Sequence, residues 1–401
     1  MAEVGTLPFG DNGGVRALFS FTGGNGHALP MMPIAHALAA RGHDVLFTCQ
    51  SAMLDTIRGA GFGVVDSGGP TLAAATYRGP LVRTDRDAEI RAIRDAFAGR
   101  IAHDRAPRIV GVGQRFEPDV VVRDEVDFGA AVAAECLGIP HASVVVLAAG
   151  GMIAPGLLDE PLNKLRAEFG LPPDPGFLDR FLTIAPVMPS FREPGTPLPA
   201  SSLAIRPDVL DDHQVLDDPA IGRVAAWLAS RPGRPLVYFT LGTIFHQESG
   251  DLFTRILTGL EGLTANIIVT VGREFDPAEL GARNENVLVE RFVPQRALLP
   301  RAAVVVSHAG SGTVVSALAC GVPLVLLPMG ADQPWNADRC DALGVGRVLD
   351  PLAVSSGDAG AAVEDVLTTP SYRLAARALQ VEAESLPSAE VGADAVEQLV
   401  S

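Results

Sequence analysis

The sequence predicts an α/β protein of two doubly wound parallel-sheet domains, and three observations predict it. A chain of 401 residues exceeds what one average core organises. Short apolar strands are followed by Gly-rich turns and helices in both halves. The first run of these units gives out in a Pro-rich stretch before a second run begins.

The elements follow in order. Residues 15–20 (VRALFS) read as a strand, 21–27 as a Gly-rich turn, about 30–41 as a helix, and RGHDVLFTC as the turn into a second strand. The pattern returns as a strand at 118–123 (PDVVVR), a helix at 127–137 and a strand at 142–147 (ASVVVL), whose β-branched runs suit strands covered on both faces. From about 150 to 205, LPPDPG and EPGTPLPAS predict loops and short helices, and the domain boundary is expected within 206–232. The second half supplies the strands PLVYFTLG, NIIVTVG, NVLVERF, AAVVVSHAG and VPLVLLPM, with helices at 249–261 and about 312–320. Residues 370–401 are Ala- and Glu-rich with helical spacing and read as terminal helices. The expected division is 1–215 for the first domain and 216–385 for the second, with 386–401 a last helix placed to cross back to the first.

Composition narrows the function. A formal charge of −16 repels a phosphate backbone, so nucleic acid is excluded as an expected partner. Cys49, Cys136, Cys320 and Cys340 lack C-x-x-C spacing and read as buried thiols in a reducing compartment. MAEVGTLPFGDNGG has no basic stretch before an apolar core and reads as a loose tail, and no run of 18 apolar residues follows, so the expectation is a cytoplasmic protein without membrane insertion. A homodimer is left open.

Parallel strands joined by helices place their carboxyl ends on one edge, where ligands bind. At the first such turn, Gly23, Gly24 and Gly26 let the chain bend sharply and project His27, as a general base or as a cap of the helix near Pro30. Asp124, after PDVVVR, would orient the imidazole and stabilise its charged form, or else would cap the following helix; Glu125 and Asp127 compete for the carboxylate role. In the second half, His308-Ala309-Gly310-Ser311-Gly312-Thr313 sits between an apolar strand and a helix. Small residues there admit a phosphate to free backbone N–H groups, the alternative being a plain tight turn. Gly242 and Thr243 could add to the same phosphate site, and Asp332 and Gln333, with Asn336, could meet sugar hydroxyls or form a surface turn. No Asp-x-Asp pair or His/Cys cluster calls for a metal.

GHALPMMPIAHALAARGHDV, PDVVVRD and RFVPQRALLPRAAVVVSHAGSGTVVSALACGVPLVLLPMGADQPWNADR together resemble the nucleotide-sugar-dependent glycosyltransferases of the GT-B fold, in particular the actinobacterial enzymes that decorate antibiotics and other natural products. The resemblance implies two Rossmann-like domains facing a central cleft, the first binding the acceptor and the second the nucleotide sugar. It implies His27 as general base, Asp124 as its partner, and diphosphate contacts from His308, Gly310, Ser311, Gly312 and Thr313. Asp332 and Gln333 would touch the donor sugar, and Phe292, Val293 and Gln295 the nucleobase. Members using UDP-glucose commonly carry Glu eight residues after the loop His. Here that position is Ser316, which favours a dTDP donor with a 2′-deoxyribose.

The expected reaction is an inverting, metal-independent transfer of a sugar or deoxysugar from a nucleotide diphosphate, dTDP-linked, to a hydroxyl of a small hydrophobic natural product, with no cofactor beyond that co-substrate. Alternatives are a UDP-sugar enzyme of broad acceptor range or of cell-wall type, a non-catalytic helper protein, and an epimerase of the same fold. Acceptor specificity is expected in 67–105 and 148–200, with Tyr77, Phe97, Met152, Phe177 and Met188 equally explained as core.

Overall fold

The structure, a computed structural model, describes residues 13–69, 79–208, 218–242, 249–272 and 275–401. Thr243, Tyr77 and the N-terminal tail through residue 12 lie outside the described residues.

Two all-parallel sheets organise the chain. The first has seven strands: β1 (Arg16–Ser20), β2 (Asp44–Cys49), β3 (Gly63–Asp66), β4 (Val120–Asp124), β5 (His141–Val144), β6 (Leu182–Ala185) and β7 (Ser202–Ala204), in the order β3-β2-β1-β4-β5-β6-β7. The second has six: β8 (Leu236–Thr240), β9 (Asn266–Thr270), β10 (Val287–Glu290), β11 (Ala302–Ser307), β12 (Leu324–Leu326) and β13 (Gly346–Val348), in the order β10-β9-β8-β11-β12-β13. β4 is buried along its whole length, as are β8 and β9, which explains their continuous Val, Ile and Phe runs. In each sheet the winding reverses between the first and the fourth strand in sequence, β1 beside β4 and β8 beside β11. Such reversals open a crevice at the strands' carboxyl ends.

Several helices depart from the expected limits. The helix predicted from about residue 30 begins as a turn at Asn25–Ala28 and passes through a 3-10 segment, Leu29–Met31, into Met32–Ala40. Pro30 and Pro33 lack the N–H a helix interior needs, which is why the sequence places its start late. The stretch 67–105, expected to carry acceptor specificity, runs into a long helical segment that the sequence reading did not include: Arg86–Arg91, a wide-turned π stretch at Ala92–Ile101, then Ala102–Phe116. Met152, Phe177 and Met188 are buried in core clusters and Phe97 packs on one of them, so packing explains these four side chains.

The last helix, Ala389–Gln398, lies on helix Met32–Ala40 of the first sheet, where Ala393 and Val396 enter the core. Arg41 reaches Glu390, Asp394 and Glu397 at 2.7, 2.6 and 2.9 Å, and His43 reaches Glu397 at 2.7 Å. Apolar packing also runs between the two sheets' territories, from Ala149, Met188 and Phe191 to Leu326 and Ala337. Among the described residues no helix is long and apolar enough to cross a membrane.

In the second domain, helices Leu252–Leu260 and Ser356–Thr368 meet backbone to backbone at Gly259 and Gly360. A Cβ on Gly259 would stand 2.0 Å from the Ser356 carbonyl oxygen, whereas one on nearby Gly262 would meet open space. Gly259→Ala should therefore lower stability by about 1–3 kcal/mol through overpacking, and Gly262→Ala should stay within about 0.5 kcal/mol of the parent. Urea unfolding of both variants checks the pair; equal midpoints would mean the helices shift apart freely.

Candidate active site

The turn after β1 and the exit of β4 are tied together by one carboxylate. Asp124, fully buried as the last residue of β4, accepts from the backbone N–H of Thr22 at 2.7 Å through Oδ2, and from Val126 and Asp127 at 2.7 and 2.9 Å through Oδ1. His27 lies inside the short helical turn after β1, and its Nδ1 stands 3.3 Å from Asp124 Oδ2 without the alignment of a formed hydrogen bond. Burial works against the charged imidazole, but the Asp124 carboxylate, aided by Asp332 and Asp127, outweighs it and holds His27 above its ordinary pKa. Gly23, at φ +135°, is where the absence of a side chain is required: a Cβ there would lie 2.6 Å from His27 Nε2. The ring is therefore held by Asp124 on one nitrogen and left room by Gly23 at the other.

The rival carboxylates are engaged elsewhere. Asp127 caps helix Phe128–Leu137 through the Ala130 N–H and binds buried Arg105 at 2.8 Å and Ser20 Oγ at 2.7 Å. Burial raises and Arg105 lowers its pKa, with a net downward shift. Glu125 accepts from the N–H groups of Val146 and Leu147, and burial pushes its carboxyl upward against the nearby Arg192 charge. Asp124 is neither helix cap nor bystander. Arg105, on the long helix that the sequence did not reveal, is the site component that sequence reasoning missed, because its partner lies 22 residues away with no periodic signal.

In the second domain, helix Ser311–Ala319 starts directly after β11, with Gly310 as its cap residue and no side chain capping it. The first N–H groups of such a helix are available to an anion. His308 lies against two glycines: a Cβ on Gly242 would come within 2.5 Å of its ring and one on Gly310 within 2.4 Å. The loop bends through Ala309 at φ +69°, and Ala331 in the neighbouring loop has φ +51°. Thr313 is buried and its hydroxyl receives the Gln295 side-chain amide at 3.2 Å. Val293 is in the core, while Phe292 is partly exposed. Gln333 is buried, its side-chain oxygen accepting from the Met329 and Gly330 N–H groups. That leaves Asp332 the more available of the predicted sugar contacts.

The two carboxyl edges face each other. Ser311 Oγ accepts from Ala148 N–H at 2.8 Å and donates to Asp332 Oδ2 at 2.5 Å; Asn336 donates to Ser311, Asp332 and the Ala309 carbonyl, and accepts from Ala149 N–H at 3.1 Å. Burial pushes the Asp332 carboxyl upward, against the bonds from Ser311 and Asn336 and the nearby His27 charge. His27, Asp124, the helix terminus at Ser311 and Asp332 thus line one cleft. Gln295 and Thr313 are joined by their side chains at the start of helix Ser311–Ala319, and Thr243 is outside the described residues.

Residues 254–399 match the family described as "Erythromycin biosynthesis protein CIII-like, C-terminal domain". Over almost the whole chain, the sequence is 29% identical to 4'-demethylrebeccamycin synthase of Lentzea aerocolonigenes, covering 96% of this chain and 100% of the relative. It is 28% identical to tylactone mycaminosyltransferase of Streptomyces fradiae, covering 92% and 88%. The fold superposes on the spinosyn rhamnosyltransferase SpnG complexed with thymidine diphosphate with a TM-score of 0.79 at 21% identity, covering 96% of this chain and 100% of that one. The chain has the fold of the GT-B glycosyltransferases. In this fold both crevices that the sheet topology creates open toward each other, with a histidine–carboxylate pair on one side and an uncapped helix terminus on the other.

The His27 imidazole should titrate above the usual histidine range, and Asp124→Asn should move that midpoint down by removing the largest upward contribution. Carbon-13 NMR of ring-labelled protein reads both midpoints. Equal midpoints in parent and variant would mean that Asp124 does not set the charge of the ring.

Proposed function

We propose that this protein is a glycosyltransferase that transfers a sugar or deoxysugar from a dTDP-linked donor to a hydroxyl of a small hydrophobic natural product, inverting the anomeric carbon. The observation that carries the reading is the His27–Asp124 pair facing, across the cleft, the free helix terminus at Ser311 and the carboxylate of Asp332. His27 takes the acceptor hydroxyl proton at Nε2, and Asp124 stabilises the imidazolium at Nδ1. The attacking oxygen then forms its bond to the anomeric carbon as the bond to the diphosphate oxygen breaks. Charge develops on that diphosphate as the sugar becomes oxocarbenium-like, and the N–H groups of Ser311, Gly312 and Thr313 with the helix dipole offset it. Asp332 and Gln333 are the proposed sugar contacts; Gly242, Thr243 and His308 complete the diphosphate site, and Phe292, Val293 and Gln295 the base site.

The donor nucleotide is argued from Ser316. It is half-buried on helix Ser311–Ala319, eight residues after His308, and offers no carboxylate to bridge two ribose hydroxyls. A charge-assisted bond of that kind is worth about 1.5–3 kcal/mol, so its absence removes an advantage that UDP would otherwise hold. The spinosyn neighbour solved with thymidine diphosphate supports the same choice. The relative named for tylactone supports an acceptor of natural-product type. All four cysteines are free, which supports a reducing, cytoplasmic compartment.

One crossed experiment tests the reading, with calorimetric titration of dTDP and UDP alongside turnover on parent, His27→Ala and Thr313→Val. The parent should prefer dTDP. His27→Ala should keep its dTDP affinity and lose about 10²-fold or more in kcat. Thr313→Val should weaken dTDP binding with no sugar present. Undiminished turnover in His27→Ala would remove it as the base, and a parent that prefers UDP would remove the dTDP assignment.

A further inference from the structure

Positive charge gathers at the far edge of the second sheet, away from the cleft. An open pocket of about 570 Å³ lies beside the amino ends of β8, β9 and β11, and Arg231, Arg234, Arg301, Arg373 and Arg377 all line it. No Asp or Glu is among its lining residues, although the chain carries 47 acidic residues against 31 Lys and Arg. A second pocket of about 650 Å³ adjoins it through Pro235, Ala303 and Arg373 and continues along Leu263, Thr264 and Leu374.

The arginines have neutral partners or none. Arg231 donates to the carbonyls of Glu285 and Trp227 and to Ser230 Oγ, and its guanidinium lies 4.7 Å over the Trp227 ring. Arg373 donates to the carbonyls of Gly321 and Ala303, at 3.2 and 2.5 Å. The side chains of Arg234, Arg301 and Arg377 make no hydrogen bond or ion pair among the described residues. Burial, with the charge of Arg377 alongside, holds the Arg373 guanidinium below its ordinary pKa, so the pocket keeps its cations at a cost.

The backbones that carry the cluster lie in or beside ordered elements. Arg234 precedes β8, Arg301 immediately precedes β11, and Arg373 and Arg377 stand one turn apart on helix Pro370–Ser385. Guanidinium forks match phosphate oxygens two at a time. One carboxylate brings a single negative charge to five cations, whereas a molecule with several phosphates comes closer to neutralising the set. The volume suits a small molecule, and the adjoining groove with Leu263 and Leu374 offers apolar surface to a carbon skeleton.

We propose that this pocket binds a small molecule bearing two or more phosphate groups, at a site separate from the nucleotide-sugar cleft. The inference does not depend on the donor or acceptor assigned above.

Calorimetric titration of the full chain, with the cleft saturated by dTDP and UDP together, tests it with inorganic pyrophosphate, fructose 1,6-bisphosphate and citrate as probes. One further equivalent of a phosphate probe should bind, more weakly as salt rises. Tighter binding of the bisphosphate than of pyrophosphate would assign an organic ligand, and the reverse an inorganic one. Arg301→Gln with Arg377→Gln should weaken that binding by about tenfold or more while dTDP affinity is unchanged. Arg234→Gln, a single change at an exposed residue, should weaken it several-fold and serves if the double variant does not fold. Absence of a second equivalent, parent-like affinity in these variants, or citrate binding as tightly as the phosphates would overturn the proposal.

Discussion

A single buried carboxylate sets the geometry on which the proposed catalytic wall depends. Asp124 gathers the N–H groups of Thr22, Val126 and Asp127 and faces His27, so the turn after β1 cannot move independently of the exit of β4. The sheet makes this possible, because β1 and β4 are neighbours although about a hundred residues separate them. Behind Asp124, the buried Arg105–Asp127 pair and Ser20 brace the same corner. Removing one partner of such a pair leaves an uncompensated charge, which costs far more than the intact pair contributes.

The second domain repeats the topological solution with different chemistry. β8 and β11 diverge as β1 and β4 do, but small residues replace the charged pair at their exits: Gly242 and Gly310 enclose His308, and the helix at Ser311 begins uncapped. One wall of the cleft is thereby suited to moving a proton and the other to holding an anion. Ser311, Asp332 and Asn336 also bind one another and reach the Ala148 and Ala149 N–H groups. The residues nearest the proposed donor therefore also fix the spacing between the domains, and contact with donor and contact between domains share the same atoms.

Much of this architecture was legible in the sequence, for local reasons. Strands covered on both faces must be apolar throughout, so PDVVVR, PLVYF and AAVVVS announced β4, β8 and β11, and glycines clustered where the backbone turns off a strand. His27 and Asp124 could be paired because parallel strands share a carboxyl edge. Long-range and irregular features were not legible. The helical segment from Arg86 to Phe116 includes a π stretch and Pro107, which blur the ordinary helical period, and Arg105 within it gives no sign of its distant partner. The roles of Glu125 and Asp127 were ambiguous because three acidic residues lie within four positions, and only the fold separates ring partner, loop acceptor and helix cap. Met152, Phe177 and Met188 were equally compatible with an acceptor pocket and a core, and their burial decides for the core.

The central claim is that the base on one wall and the leaving diphosphate on the other act from opposite sides of the anomeric carbon. Proton NMR of the glycoside formed from a dTDP-sugar of known configuration tests this most directly, through the coupling constant of the anomeric proton. The account predicts a product of opposite anomeric configuration to the donor. A product that keeps the donor's configuration would contradict it.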